Sequence, residues 1–129
     1  MTRVNEPVLK DEHAQHPVAS AWRPTLCEIV RALVHRDYSL ARSNIPGVER
    51  ISPAKAKRIE EYIASYGESL GELPEDAWES SASQWMETHW EVLVDLFTAE
   101  SSRSDLALSV FVFEDPSGYR YEVDSVHVP

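Results

Sequence analysis

From Trp90 to Val123 the chain reads WEVLVDLFTAESSRSDLALSVFVFEDPSGYRYEV. Two parts of this stretch, 90–96 and 106–112, place an apolar residue at every second position. A period of two is typical of β-strands, because successive side chains point to opposite faces of a sheet. The stretch therefore predicts two neighbouring strands.

A turn sequence leads from the second strand into a third. Asp115-Pro116-Ser117-Gly118 has a proline suited to the second position of a turn and a glycine where a positive φ is favoured. The alternation continues over 119–123 and changes phase at Ser125, where we expect a β-bulge or the end of the strand. A segment at 83–86 is a candidate for a fourth strand.

The residues before the strands carry two helical patterns. Apolar residues at helical spacing predict a helix from about Pro24 to about Arg36. Ser52-Pro53 predicts the start of a second helix, because serine caps free amides and proline fits the first helical position. This helix should end at Gly67 or Gly71. A short helical turn is predicted at 75–79.

The order of these elements predicts an α+β domain. We expect two N-terminal helices packed on one face of a three- to four-stranded antiparallel meander. A length of 129 residues fits one domain, which we place at 17–129. Residues 1–16 lack periodicity and contain proline and mixed charges, so we expect a flexible N-terminal tail.

The net charge of −10 is unevenly distributed. Residues 1–70 hold ten basic and nine acidic residues, whereas residues 71–129 hold two basic and thirteen acidic residues. Such an excess of acid repels nucleic acid and attracts basic partners, although solubility alone would also account for it. We therefore expect no nucleic-acid partner.

Several observations predict a soluble protein of the cytoplasm. Apolar runs are a few residues long, far below the roughly 20 needed to cross a bilayer, so we expect no membrane partner. The N-terminus lacks the apolar core of a signal peptide. Cys27 is the only cysteine, which excludes an internal disulfide, and its place beside the apolar stripe of the first helix predicts a core residue.

Three short runs carry a resemblance to a known family: WEVLVDLFT from Trp90, RSDL from Arg103 and VHV ending at Val128. With Tyr66-Gly67, and with Leu73-Pro74 followed by Trp78, they resemble a family of small bacterial domains of unknown function over about residues 20–129. The resemblance implies no activity. In size, acidity and element order the chain is also similar to immunity proteins that neutralise bacterial toxins.

Enzyme, cofactor and metal motifs are not evident. Four scattered glycines cannot form a phosphate-binding loop. His13 and His16 have a spacing that could serve a metal, but they lie in the predicted tail without a third ligand, so we expect an exposed pair. We therefore predict no metal, no cofactor and no catalytic residue.

The strand pattern instead predicts a partner-binding surface. If one face of the sheet packs on the helices, the other face presents apolar anchors among acids, a composition suited to a protein interface. The predicted residues are Glu91, Leu93, Asp95, Phe97, Phe111, Phe113, Glu122 and Asp124. The partner would be a basic protein or a second copy of the chain.

A pocket is the alternative arrangement. Its predicted residues are Asp95, Asp105, Asp124 and His127. Asp124 and His127 differ by three, which places them on opposite faces of a regular strand, so only the expected bulge could bring them together. Asp95 lies in an apolar strand and needs a partner, for which Arg120 is the candidate. We expect Asp105 to cap a turn.

These patterns favour a non-catalytic module that binds a basic protein, similar in role to an immunity protein. A small-molecule-binding domain or small hydrolase with the Asp/His pocket remains open. A third hypothesis is that the chain is a homodimeric accessory protein.

Overall fold

Two α-helices precede a five-stranded antiparallel sheet in the computed structural model, which describes residues 8–100 and 102–129. The predicted α+β class is confirmed, but the sheet has five strands instead of three or four. The α-helices and strands are α1 (Arg23–Val34), α2 (Pro53–Tyr66), β1 (Leu70–Gly71), β2 (Ala82–Trp85), β3 (Trp90–Thr98), β4 (Arg103–Asp115) and β5 (Gly118–His127). Two 3₁₀ helices occupy Ser20–Trp22 and Glu75–Glu79, the second at the predicted turn.

Helix α1 lies within two residues of its predicted bounds and ends in a Schellman motif. The Arg36 amide donates to the Leu33 carbonyl at 3.0 Å, and the Asp37 amide donates to the Ala32 carbonyl at 2.9 Å. Arg36 therefore takes the left-handed position of the motif, with φ of 63°. A side chain there strains the backbone, which is why glycine usually fills this place.

We expect Arg36→Gly to raise the free energy of unfolding by about 1 kcal/mol, because glycine adopts this φ without steric cost. Urea denaturation followed by circular dichroism would measure the change. Arg36→Ala is the matched control, since it removes the side chain but keeps the strained Cβ. Equal gains for the glycine and alanine variants would contradict the argument.

Both predicted ends of helix α2 are confirmed. The Ser52 hydroxyl accepts a hydrogen bond from the Lys55 amide at 3.2 Å. Gly67, with φ of 89°, follows the last helical residue, so the helix ends there and not at Gly71. In the part of the chain that the structure describes, no helix has the length and apolar character needed to cross a membrane.

Strand β3 organises the sheet. It pairs with β4 along one edge, while β2 and β1 follow each other along its other edge. Strand β2 confirms the candidate fourth strand, starting one residue earlier than predicted. Strand β1 was not predicted, because two residues are too few to show a period.

The hairpin between β4 and β5 has the predicted turn and bulge. The Asp115 carboxylate accepts hydrogen bonds from the Ser117 hydroxyl at 2.7 Å and the Ser117 amide at 3.0 Å, and these bonds lower the pKa of Asp115. Val110 pairs with Val123 and Ser109 pairs with Ser125, so Asp124 is the extra residue of a β-bulge.

Loop segments lie along parts of both outer edges of the sheet. His16 and Ser83 form an antiparallel bridge beside β2, with both amide-to-carbonyl distances at 2.8 Å. Beside β5, the Glu49 amide donates to the Tyr121 carbonyl at 2.9 Å, and the Tyr121 amide donates to the Gly47 carbonyl at 2.8 Å.

The predicted flexible tail contacts the sheet over its described part. Residues 1–7 lie outside the described residues. Within residues 8–16, the Leu9 carbonyl accepts a hydrogen bond from the Trp90 indole at 3.1 Å, and the Lys10 ammonium lies 2.8 Å from a Glu114 carboxylate oxygen. These partners are distant in sequence, so no local pattern in the first sixteen residues indicates the contacts.

The core joins both helices to alternate residues of β3, β4 and β5. Trp22 and Trp90 are its largest fully buried side chains, and their ring centroids lie 5.1 Å apart. Tyr119 meets Trp22 edge-on at 5.7 Å, and Trp85 lies 4.8 Å from Trp90. Cys27 is half-buried at the margin of this core, and burial raises the pKa of its thiol.

Candidate functional site

The side chains that alternate with the core residues of β3, β4 and β5 form a second face of the sheet. Residues directly opposite one another in paired strands point to the same side, so the register defines this face. We call it the acidic face, and it carries six of the predicted residues: Glu91, Leu93, Asp95, Phe111, Phe113 and Glu122. All six are half-buried.

Phe111 lies at the centre of the acidic face with a glutamate on each side. Glu91 is its partner on β3, and Glu122 is its partner on β5. Neighbouring strands are about 4.8 Å apart, so the two glutamates flank Phe111 on the same face. Glu91 makes no ion pair within 4.0 Å among the described residues.

A guanidinium already lies over the ring of Phe113, the next phenylalanine on this face. Arg120 lies opposite Phe113, and its Cζ atom is 4.2 Å from the ring centroid. Its Nη1 atom donates to Glu49 at 2.7 Å and also to Glu122. Hydrogen bonds to the Glu122 and Glu49 carboxylates raise the pKa of Arg120. This part of the sheet therefore holds a cation between an aromatic ring and two acids.

His89 also lies against this face, a contact that the strand pattern did not predict. Its ring centroid lies 4.8 Å from that of Phe111 and 5.0 Å from that of Phe113. The Thr88 hydroxyl oxygen lies 2.8 Å from its Nδ1 atom, which fixes the ring orientation. His89 immediately precedes β3, so the strand alternation did not include it.

The predicted pairing of Asp95 with Arg120 is wrong. Arg103 is the nearest cation to Asp95, with Nη1 at 3.8 Å from Oδ2, and the Arg103 side chain is 61% exposed. Arg120 lies at the hairpin end of the sheet, whereas Asp95 lies near the opposite end of β3. An exposed pair at this distance contributes little stability.

Two predicted residues are not available on the acidic face. Phe97 is only 7% exposed and lies beyond a register shift between Asp95 and Phe97 that the sequence did not reveal. Asp124 is the extra residue of the β5 bulge and lines a groove beside α2. The candidate surface is therefore smaller than predicted and centred on Phe111.

The structure brings together only two of the four predicted pocket residues, Asp124 and His127. The bulge brings Asp124 and His127 to the same hydroxyl: Ser125 Oγ lies 3.4 Å from Asp124 Oδ2 and 2.9 Å from His127 Nδ1. Asp95 and Asp105 do not line that groove. Asp105 is exposed within β4, where its amide donates to the Tyr66 hydroxyl at 3.0 Å, so its predicted role in a turn is wrong.

His13 and His16 do not share an environment. His13 is exposed, whereas His16 is half-buried with Nε2 at 3.0 Å from an Asp11 carboxylate oxygen, a bond that lowers the pKa of Asp11. Over residues 8–100 and 102–129, no three His, Cys, Asp or Glu side chains are grouped as metal ligands.

Comparison with known proteins identifies the family to which these elements belong. No curated protein and no solved structure matches the chain. One family model, described as "Domain of unknown function (DUF7668)", matches residues 30–129, which include most of the core and the whole acidic face. The predicted resemblance to a family of domains of unknown function is thereby confirmed. Since the match covers most of the sequence, the chain belongs to the DUF7668 family.

Proposed function

We propose that the acidic face binds a basic segment of another protein, and that the domain acts through this binding and not through catalysis. The observation that carries the proposal is the row Glu91, Phe111 and Glu122, in which an aromatic residue is paired across the strands with a glutamate on each side. Apolar anchors inside a charged rim are suited to protein interfaces. A lysine or arginine side chain is the complementary group.

The distribution of charge supports this partner. Residues 71–129, which include every residue of the acidic face, carry thirteen acidic and two basic residues. A field of one sign speeds the encounter with a partner of the opposite sign and is weakened by salt. Arg120 over Phe113 supports the proposal further, because the chain already places one guanidinium on this surface.

In this proposal the helices cover one face of the sheet and leave the acidic face free for the partner. The domain is cytoplasmic, and it masks its basic partner as an immunity protein masks a toxin. Masking requires a large complementary surface and no catalytic group.

Affinity capture with matched charge variants tests the proposal. The bait is the full chain as wild type, as the double variant Glu91→Lys/Glu122→Lys, or as Glu60→Lys/Glu61→Lys, which makes the same charge change on exposed positions of α2. We expect the wild type and the α2 variant to retain the same basic protein at low salt. The face variant should lose it, and its association rate should fall at least about tenfold.

Circular dichroism first establishes that both variants are folded. Equal capture by the face variant would remove the acidic face from the interaction. Recovery of the bait alone, as a stable dimer by light scattering, would replace the basic partner with a second copy of the chain.

A further inference from the structure

We propose that the groove between α2 and β5 binds a small organic anion, a carboxylate or phosphate on a short apolar body. By register Ser125 and His127 lie at the far end of the acidic face, and they also line the groove. Glu91, Phe111 and Glu122, on which the proposed function rests, do not line the groove, so this inference does not depend on that proposal. The groove has a volume of about 230 Å³, smaller than the roughly 300 Å³ at which drug-sized pockets begin. The ligand must therefore be small.

One stripe of α2 forms the helix side of the groove. Lys55, Arg58, Ile59 and Tyr62 recur at helical spacing and all line it. The strand side is the end of β5 from Asp124 to His127. Since Asp124 is the extra residue of a bulge, the strand bends here, and the bend places both Asp124 and His127 on the groove.

The floor of the groove is apolar. Ile59 is 2% exposed and Val126 is 3% exposed, so both belong to the core and present only a small surface to a ligand. Tyr62 stands at the rim with 44% of its surface exposed. An aromatic or aliphatic body would cover this surface and remove it from water.

The cations of the groove favour a negatively charged ligand. Among the described residues, no ion pair within 4.0 Å involves Lys55 or Arg58. Lys55 is held in place because its ammonium donates to the Val123 carbonyl at 3.0 Å. Lys55 and Arg58 are two cations against one carboxylate, Asp124, so the lining has a net positive charge. A carboxylate or phosphate beside Arg58 would compensate it.

The Ser125 hydroxyl contacts two polar side chains on the strand side of the groove. Its hydroxyl lies between Asp124 Oδ2 and His127 Nδ1, so both side chains are oriented by one group. The Nε2 atom of His127 is not used in this contact. It can therefore donate to or accept from a polar group of the ligand.

Protein-observed NMR titration of the full chain tests the inference. The probes are benzoate, hexanoate and phenyl phosphate, with benzamide as the neutral counterpart of benzoate, each up to about 10 mM. We expect saturable shifts of amides in 55–62 and 123–127 for at least one anion and none for benzamide. Arg58→Gln should weaken that anion's binding about tenfold, whereas Lys57→Gln, on the same helix but outside the groove, should not change it.

Three outcomes would overturn the inference. Binding of none of the three anions excludes a site for this class of ligand. Equal binding of benzamide shows that charge is not recognised. An equal loss for Lys57→Gln and Arg58→Gln shows that the anion responds to the overall charge of α2 and not to the groove.

Discussion

Replacing Trp90 by alanine is expected to lower the free energy of unfolding by about 4 kcal/mol. Trp90 is 1% exposed, and its ring contacts Trp22, Trp85 and Tyr119. The substitution leaves a cavity at the start of β3, the strand to which β1, β2 and β4 are all paired. It also removes the hydrogen bond from the indole to the Leu9 carbonyl.

Urea denaturation monitored by circular dichroism would measure this loss. Trp85→Ala is the control, because the half-buried Trp85 occupies the same aromatic cluster and should cost clearly less. Trp90→Phe retains most of the ring and keeps the test informative if the alanine variant does not fold. Similar losses for Trp85→Ala and Trp90→Ala would contradict the central place assigned to Trp90.

Replacing Asp37 by alanine is expected to lower the free energy of unfolding by about 3 kcal/mol, because two hydrogen bonds to a charged group are lost. Asp37 is 5% exposed. Its Oδ2 atom accepts hydrogen bonds from the Ser43 amide and the Ser43 hydroxyl, both at 2.7 Å. These bonds close the loop after α1, in which the buried Leu40 has a φ of 63°.

The contribution of Asp37 should depend on pH. Burial raises the pKa of Asp37, but hydrogen bonds from Ser43 and the nearby Arg42 lower it more, so that the pKa lies below its ordinary value of 3.8. A carboxyl with a lowered folded-state pKa stabilises the fold above its unfolded pKa, and this stabilisation disappears as the pH falls through the folded pKa.

The isosteric variant Asp37→Asn isolates this charge. Near neutral pH it should be less stable than the wild type by about 1 kcal/mol. Urea denaturation from neutral pH to below pH 3.8 should show the difference shrinking as Asp37 becomes protonated. A difference that is constant over this range would show that the charge contributes nothing beyond the shape of the side chain.

Local signals account for the parts of the fold that the sequence predicted. Ser52-Pro53 and Gly67 mark the ends of α2 because capping depends on residues next to the helix. The phase change at Ser125 revealed the β5 bulge because alternation is a property of a single strand. Alternation likewise placed Glu91 and Phe111 each opposite the apolar residues of its own strand, and their pairing across β3 and β4 then puts them on one face.

Contacts between distant segments account for what the sequence missed. The register shift after Asp95, which accompanies the burial of Phe97, depends on how β4 aligns with β3. The partners of Arg120 include Glu49, which lies in the loop before α2. The groove beside β5 needed Lys55 and Arg58 from a helix more than sixty residues away in sequence. No pattern within one segment indicates these neighbours.

The bridges at His16 and Val48 have a consequence for how copies of this protein can associate. Unpaired strand edges are templates for strand addition, and they promote aggregation and domain swapping. Here the backbone at His16 bridges to β2 and the backbone at Val48 bridges to β5. Further along β5, the Lys55 ammonium donates a hydrogen bond to the Val123 carbonyl. At these positions a second chain cannot extend the sheet through its backbone, so association there must use side chains, whose charges can select the partner.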